Sequence, residues 1–309
     1  MSRGAAITGW GGALPDQIVT NADFAGRLDT SDEWITERTG IKERRFGGTA
    51  AGLGTQAGRM ALDRAGLTGS DIDLVILATT TPDLVMPATS SIIAHDLGIT
   101  GGAMDLNAAC AGFVYALGAA HGLILGGLDR VLVVGSDLMD RITDQDDRST
   151  AILFASGAGA VVLQAVAGED RILSLDFGVD GSVVDILKCH IGETLTMEGR
   201  EVFRRAVRVT VDSVRSALER AKVAPADIAL FIPHQANLRI IEAVNQRIGI
   251  PLDRTAVVLA TTGNTSSASI PLALDDALAA GRVQDGDLVL MSGFGAGMTW
   301  ATAVVRWGA

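Results

Sequence analysis

The sequence predicts an α/β protein built from two duplicated β/α halves. Short apolar runs alternate with amphipathic stretches of helical period along the chain. Ala61-Leu-Asp-Arg-Ala-Gly-Leu-Thr-Gly-Ser-Asp-Ile-Asp-Leu-Val-Ile returns 156 positions later as Ala217-Leu-Glu-Arg-Ala-Lys-Val-Ala-Pro-Ala-Asp-Ile-Ala-Leu-Phe-Ile. Asn107-Ala-Ala-Cys-Ala-Gly-Phe-Val-Tyr-Ala-Leu returns 157 positions later as Asn264-Thr-Ser-Ser-Ala-Ser-Ile-Pro-Leu-Ala-Leu. Two stretches in one order at almost one offset mark an internal repeat with a near two-fold axis. The halves are expected at 1–166 and 167–309.

The elements follow in order. Ala5–Gly12 reads as a first strand running into a glycine turn. Its Gly9-Trp-Gly-Gly is a poor nucleotide loop, because the third glycine of the fingerprint is misplaced and no acidic ribose ligand follows. Ser31 or Asp32 is placed to cap a short helix. Gln56–Ala65 reads as an amphipathic helix, Leu74–Thr79 as a buried strand, Ser90–Leu97 as a helix and Gly102–Leu106 as extended. Cys110–Leu125 reads as a helix, followed by strands at Arg130–Gly135 and Ala158–Gln164.

At 309 residues the chain can bury a large core; 48% hydrophobic residues, 37 glycines and only 4% aromatics point to tight layers of small aliphatic side chains. No apolar run reaches the length of a membrane span, and no basic-then-apolar leader precedes the first strand, so no membrane role is expected. Two cysteines 79 positions apart make neither a disulfide framework nor a metal-ligand spacing, and a reducing cytoplasm fits them best. A net charge of −11 argues against nucleic acid as the main partner.

Covalent chemistry is sought first at Cys110. A thiol at a helix N-terminus meets unpaired N–H groups and the positive dipole end, which favour thiolate. The alternative is a free cysteine serving as a small core residue. The repeat adds partners. In α/β sheets ligands bind beyond the carboxyl ends of strands. Leu74–Thr79 maps onto Leu230–Pro233, which puts His234 just past a strand end, and the helix start at Cys110 maps onto the one after Asn264. Cys110, His234 and Asn264 are therefore expected to converge at the pseudo-axis without a metal. His95 and His121 fall in helical patterns as ordinary histidines. Cys189-His190 is adjacent in sequence, which rarely gives a base geometry.

These residues, with others spread over nearly the whole chain, resemble the β-ketoacyl-acyl-carrier-protein synthase III family, condensing enzymes of the thiolase fold. The matching pieces are Asp29-Thr-Ser-Asp-Glu-Trp-Ile with Arg38-Thr-Gly-Ile, the Cys110 stretch, and Asp147-Arg148 before Gly157-Ala-Gly-Ala. The second half supplies Met197-Glu-Gly, Pro233-His-Gln-Ala-Asn-Leu-Arg, Gly263-Asn-Thr-Ser and Gly293-Phe-Gly-Ala-Gly-Met-Thr-Trp.

The resemblance implies a layered αβαβα sandwich of two thiolase-like halves, forming a homodimer in the cytoplasm. It implies decarboxylative condensation of an acyl-coenzyme A primer with malonyl-acyl-carrier protein through an acyl-Cys110 intermediate, with no cofactor beyond the coenzyme A thioester. His234 and Asn264 complete the triad, and the backbone N–H groups of Cys110 and Ala296 serve as an oxyanion hole. Trp34 and Arg148 sandwich the adenine of coenzyme A, Arg38 lies near its phosphates, and Asn237 and Gly199 line the pantetheine tunnel. Phe294 stands beside the site, and Met86 shapes the partner's acyl pocket across the dimer.

Arg200, Arg204, Arg208 and Arg215 fall on one helix stripe, with Arg239 and Arg247 on the next helix, as a dock for an acidic carrier protein. A solvated helix face would look the same. Two departures stand out: Ala155-Ser156 replaces the family's usual Gly-Asp, and Asp180–Met197 is short. The short segment leaves open a synthase III-like acyltransferase or condensing enzyme of a secondary pathway with a different acyl acceptor. A carrier-binding scaffold without turnover would not need an intact triad.

Overall fold

The computed structural model describes residues 3–308. Its first sheet runs Arg3–Ala13, Ser156–Ala167, Arg130–Leu138, Leu74–Ala78 and Gly102–Leu106 across. The second runs Ile172–Val179, Thr299–Arg306, Leu288–Gly295 and Ile228–Pro233. In each sheet the first two pairings are antiparallel and the next is parallel. The fifth strand of the first sheet has no full counterpart, only a single parallel bridge between Phe231 and Thr255. The duplication read from the sequence is thus a duplication of topology.

Helices fill three layers around the two sheets. Gly112–Leu125 and Ser269–Ala279 lie between them and begin 157 positions apart, the offset of the sequence repeat. Phe113, Leu117 and Ile270 are fully buried there against Ile76 and Val133 of one sheet and Leu230 and Met291 of the other. Ala50–Ala65 and Thr89–Leu97 cover the outer face of the first sheet. Gly199–Ala221 and Leu238–Ile248 cover that of the second. The result is the αβαβα sandwich. Its central layer is apolar on all sides, which is why Gly112–Leu125 carries almost no polar face.

The local signals worked as expected at most ends. Ser31 caps Asp32–Thr39 by accepting from Trp34 N–H, and Gly40 closes that helix at φ 79°. The stretch from Cys110 is the exception. Ala109 sits at φ 48°, which no helix interior accepts, so Ala109–Ala111 forms a separate short turn and the helix proper starts at Gly112.

The glycines of the first strand have a packing reason. A Cβ on Gly9 would lie 2.0 Å from the Ala61 carbonyl oxygen, and one on Gly11 would lie 2.5 Å from that of Ala57. Gly9-Trp-Gly-Gly therefore lets the helix Ala50–Ala65 lie directly on the strand. Gly9→Ala should lower the unfolding free energy by about 1–3 kcal/mol through overpacking, read as a denaturant midpoint. An unchanged midpoint would show that this approach is loose.

Candidate active site

Two short turns meet back to back at the pseudo-axis. Ala109–Ala111 precedes one central helix and Ser266–Ala268 the other, and the turns pack together. Ala109 and Ser266 occupy equivalent places in the repeat, and both have positive φ, 48° and 51°. Each is held by an asparagine two residues earlier. Asn107 Oδ1 accepts from Ala109 N–H at 3.1 Å, and Asn264 Oδ1 accepts from Ser266 N–H at 3.0 Å. Such strained turns persist only where the surroundings fix them, and they aim the next side chain outward from the chain. That side chain is Cys110 in the first half and Ser267 in the second.

Cys110 is buried. A Cβ on Gly295 would come within 2.5 Å of Cys110 N, and one on Gly293 within 3.0 Å of Ala111 Cα. Only a glycine strand end can lie this close to the nucleophile's turn. Thr299 Oγ1 donates toward the carbonyls of Ala108 and Ala296, at 3.0 and 3.1 Å, and so ties that turn to the Ala296–Met298 loop.

Burial pushes the Cys110 thiol up to about 12, and the nearby Asp137 charge adds to the rise. The Ser266 hydroxyl, which has no hydrogen-bond partner of ordinary geometry, faces the thiol and counters part of it. The thiolate expected from the helix start is therefore not the resting form. Desolvation outweighs the helix dipole here.

His234 follows the strand Ile228–Pro233, with its N–H on the Ser292 carbonyl at 2.8 Å. Its ring is buried edge-on to Phe294, centroids 5.2 Å apart. Burial alone pushes it down to about 3, so it too is neutral at pH 7. Nδ1 lies 2.7 Å from Ser269 Oγ, and that oxygen also takes a long contact, 3.4 Å, from Gln235 N–H. A hydroxyl accepting from Gln235 has its proton free for Nδ1, which leaves the ring proton on Nε2. Gln235 in turn bonds Pro233, Ala256, Val258 and Leu259, which locks this segment in place.

Asn264 is fixed by its backbone. Its N–H donates to Leu153 O and its carbonyl accepts from Ala155 N–H, both at 2.9 Å. With Oδ1 engaged by Ser266, the amide presents its N–H₂ as donor. Ala155 and Ser156 lie beside it; Ser156 Oγ bonds the Asp140 carboxylate.

The outer residues group separately. Trp34 is half-buried between two guanidinium groups, Arg38 at 4.6 Å and Arg148 at 4.8 Å from its ring centroid. Asn237 caps Leu238–Ile248 and donates to the Arg38 carbonyl at 3.0 Å, and exposed Gly199 begins the long outer helix. Met86 is exposed on the loop after Leu74–Ala78.

Of the expected dock, Arg204 pairs with Glu201 and Arg208 with Asp212. Among the described residues Arg239 and Arg247 form no ion pair. Cys189 is exposed in the turn of a small hairpin, its thiol on the carbonyls of His190 and Glu193. His121 pairs with Asp170 at 2.5 Å.

Sequence reasoning missed Ser266, Ser269 and Asp137. The signal for Asp137 was present: a carboxylate ends the apolar strand Val-Leu-Val-Val-Gly-Ser-Asp. The serine run after Asn264 was visible only as a repeat of Ala-Ala-Cys.

A buried thiol at the start of one central helix and a neutral imidazole at a strand end of the other half, within a layered αβαβα sandwich, are the features of a thiolase-fold condensing enzyme. The family model described as 3-oxoacyl-acyl-carrier-protein synthase III matches residues 104–181, and its C-terminal companion matches 218–307. The chain belongs to the β-ketoacyl-acyl-carrier-protein synthase III family. It is 46% identical to the member from Sinorhizobium medicae over 98% of this chain and 99% of that one. The crystal structure of the Aquifex aeolicus synthase III superposes with TM-score 0.96 at 42% identity, covering 98% of this chain and 100% of that one. A priming β-ketosynthase of a polyketide pathway gives 0.94 at 38%, covering 99% and 97%.

The resting thiol yields a pH test. Its ordinary value of 9.0 is raised, so the thiolate fraction at neutral pH is below that of a free cysteine. The iodoacetamide rate at Cys110 should climb through pH 8 to 10 without levelling. A plateau below pH 8 would contradict a buried neutral thiol.

Proposed function

We propose that this enzyme starts acyl-chain synthesis by condensing an acyl-coenzyme A with malonyl-acyl-carrier protein through Cys110. The observation that carries this is the pairing of a buried thiol with two neutral donors, His234 Nε2–H and the Asn264 amide. Neither donor can take a competing negative charge.

In the first step Cys110 sulfur bonds the acyl carbon and coenzyme A leaves, the thiol proton ending on the departing sulfur. The backbone N–H groups of Cys110 and Ala296 hold the oxyanion. In the second, malonyl-carrier loses carbon dioxide, and the enolate oxygen is held by His234 and Asn264. Its carbon bonds the acyl carbon, the Cys110 sulfur leaves, and it recovers a proton from solvent. Donors placed where charge develops suit both steps better than a strong base.

Trp34 with Arg38 and Arg148 supports an adenine site at the mouth, since aromatic and guanidinium faces both stack on a base. Asn237 and Gly199 are assigned to the pantetheine path. The carrier is assigned to Arg239 and Arg247, which form no ion pair among the described residues, with Arg204 and Arg208 on the neighbouring outer helix.

The unpaired edge strand Gly102–Leu106, with exposed Met104 and Leu84–Met86 nearby, supports a homodimer in which Met86 reaches the partner's acyl pocket. No described helix is long and apolar enough to cross a membrane. Two free cysteines support a cytoplasmic setting. We assign the halves to 1–166 and 167–309. The likeness to a polyketide priming synthase, with Ala155-Ser156 beside Asn264, favours a secondary-pathway primer role as the second reading.

The test is mass spectrometry of the enzyme after acyl-coenzyme A. One acyl group should appear on the Cys110 peptide and none on that of Cys189. Trp34→Ala should slow labelling about ten-fold or more at subsaturating thioester, from the 1–3 kcal/mol that base stacking contributes. Labelling at Cys189 would overturn the assignment.

A further inference from the structure

The second turn has lost its nucleophile's role but has kept its geometry. Packing against the central helices fixes the equivalence: Ala78 lies against Gly112 as His234 lies against Ser269, and Gly135 approaches Ser267 as Gly293 approaches Cys110 and Ala111. Ala78 thus stands where His234 stands, Ser136 where Phe294 stands, and Asp137 where Gly295 stands. Ser267 stands where Cys110 stands. On one side of the axis these positions hold a thiol, an imidazole, a phenyl ring and a glycine. On the other they hold two hydroxyls, a methyl group and the Asp137 carboxylate, which Ser267 bonds.

Asp137 is fully buried, and among the described residues it has no cationic partner. It accepts six hydrogen bonds instead. Oδ1 takes Thr80 N–H at 2.7 Å and the hydroxyls of Thr79, Thr80 and Thr81 at 3.1, 2.9 and 3.2 Å. Oδ2 takes Ser267 N–H at 3.0 Å and the Ser267 hydroxyl at 2.6 Å. One oxygen therefore serves the loop that leaves the first sheet, and the other serves the turn that carries Asn264 and Ser266. A buried carboxylate is tolerated only when its lone pairs are filled, so the two segments are held at a fixed separation.

The nucleophile's turn is held by different groups, Thr299 and the backbone at Gly293 and Gly295. Cys110 and Asn264 are thus anchored independently.

We propose that Asp137 is a positioning residue for the decarboxylation half of the reaction: through Ser267 it holds the Asn264 turn at the distance from Cys110 that the enolate requires. The inference rests on the condensation proposed above. Asp137→Asn keeps the shape but replaces one acceptor oxygen by a donor, which cannot face both the loop and Ser267 N–H. The Asn264 turn loosens while the turn of Cys110 keeps its own anchors. The negative charge that opposes thiolate formation, secondary to burial itself, is also removed.

The experiment measures three rates on the full enzyme: acylation of Cys110 by acyl-coenzyme A, carbon dioxide release from malonyl-carrier protein, and iodoacetamide labelling of Cys110 at one fixed pH. In Asp137→Asn, carbon dioxide release should fall at least ten-fold, acylation should stay within about three-fold, and iodoacetamide labelling should quicken. Ser267→Ala should move the ratio of the first two rates in the same direction by less, and it carries the test if Asp137→Asn does not fold. Thr80→Val removes a donor on the far oxygen, and it should lower the unfolding midpoint with the ratio unchanged. An equal loss of acylation and decarboxylation in folded Asp137→Asn or Ser267→Ala would reduce Asp137 to a structural group and overturn the inference. If wild-type enzyme released no carbon dioxide from malonyl-carrier, the function itself would fall, a separate outcome.

Discussion

Everything at the centre of this molecule depends on two helix starts meeting head to head between two sheets. The approach is so close that side chains must be nearly absent. Glycine at 112, 135, 293 and 295 and serine at 267 leave backbone against backbone; a Cβ on Gly135 would lie 2.5 Å from the Ser267 carbonyl oxygen. Close packing of this kind excludes water, and dry surroundings set the chemistry. They keep both the Cys110 thiol and the His234 imidazole neutral. They also make each donor aimed at a developing oxyanion count for more than it would in water. Packing and reactivity therefore have one cause here.

The duplication was legible because it preserves spacing. Asn107 and Asn264, 157 positions apart, hold equivalent turns by equivalent bonds, so a sequence offset predicted a structural axis and the contact there of the turns that follow these two asparagines. Strand and helix starts were legible for the ordinary reasons of capping and period, as at Ser31 and Gly102–Leu106. Three things were not. The break at Ala109 combines a local bond from Asn107 with the close approach of Gly295 from the other half, and the second lies outside any local pattern. The protonation of Cys110 depends on how far it is buried, and helix position alone pointed the other way. The partners of His234 Nδ1 and of Asp137 come from residues 35 and 130 positions distant, so no window along the chain contains them.

The two halves have diverged in chemistry while keeping one backbone. One axis-related position carries a thiol and the other a serine hydroxyl bound to a carboxylate. In the proposed reaction the first half offers the nucleophile and the second offers the donors, so neither half alone would hold a complete site. The mouth shows the same economy. The Trp34 face is flanked by Arg38 and Arg148 from separate segments, and Asn237, which caps a helix of the second half, holds the last turn of the Arg38 helix in the first. The proposed adenine surface is thus tied to the second half by a short polar link.

The central claim is that the thiol accepts the acyl group while His234 and Asn264 generate the carbon nucleophile. The measurement that tests it most directly is carbon dioxide release from malonyl-carrier protein by three variants. Cys110→Ala should still decarboxylate while forming no condensation product, because both donors remain. His234→Ala and Asn264→Ala should each acylate normally and lose release by about 10²–10³-fold, the effect of removing one oxyanion donor. Loss of decarboxylation in Cys110→Ala, together with normal release in the other two, would contradict the account.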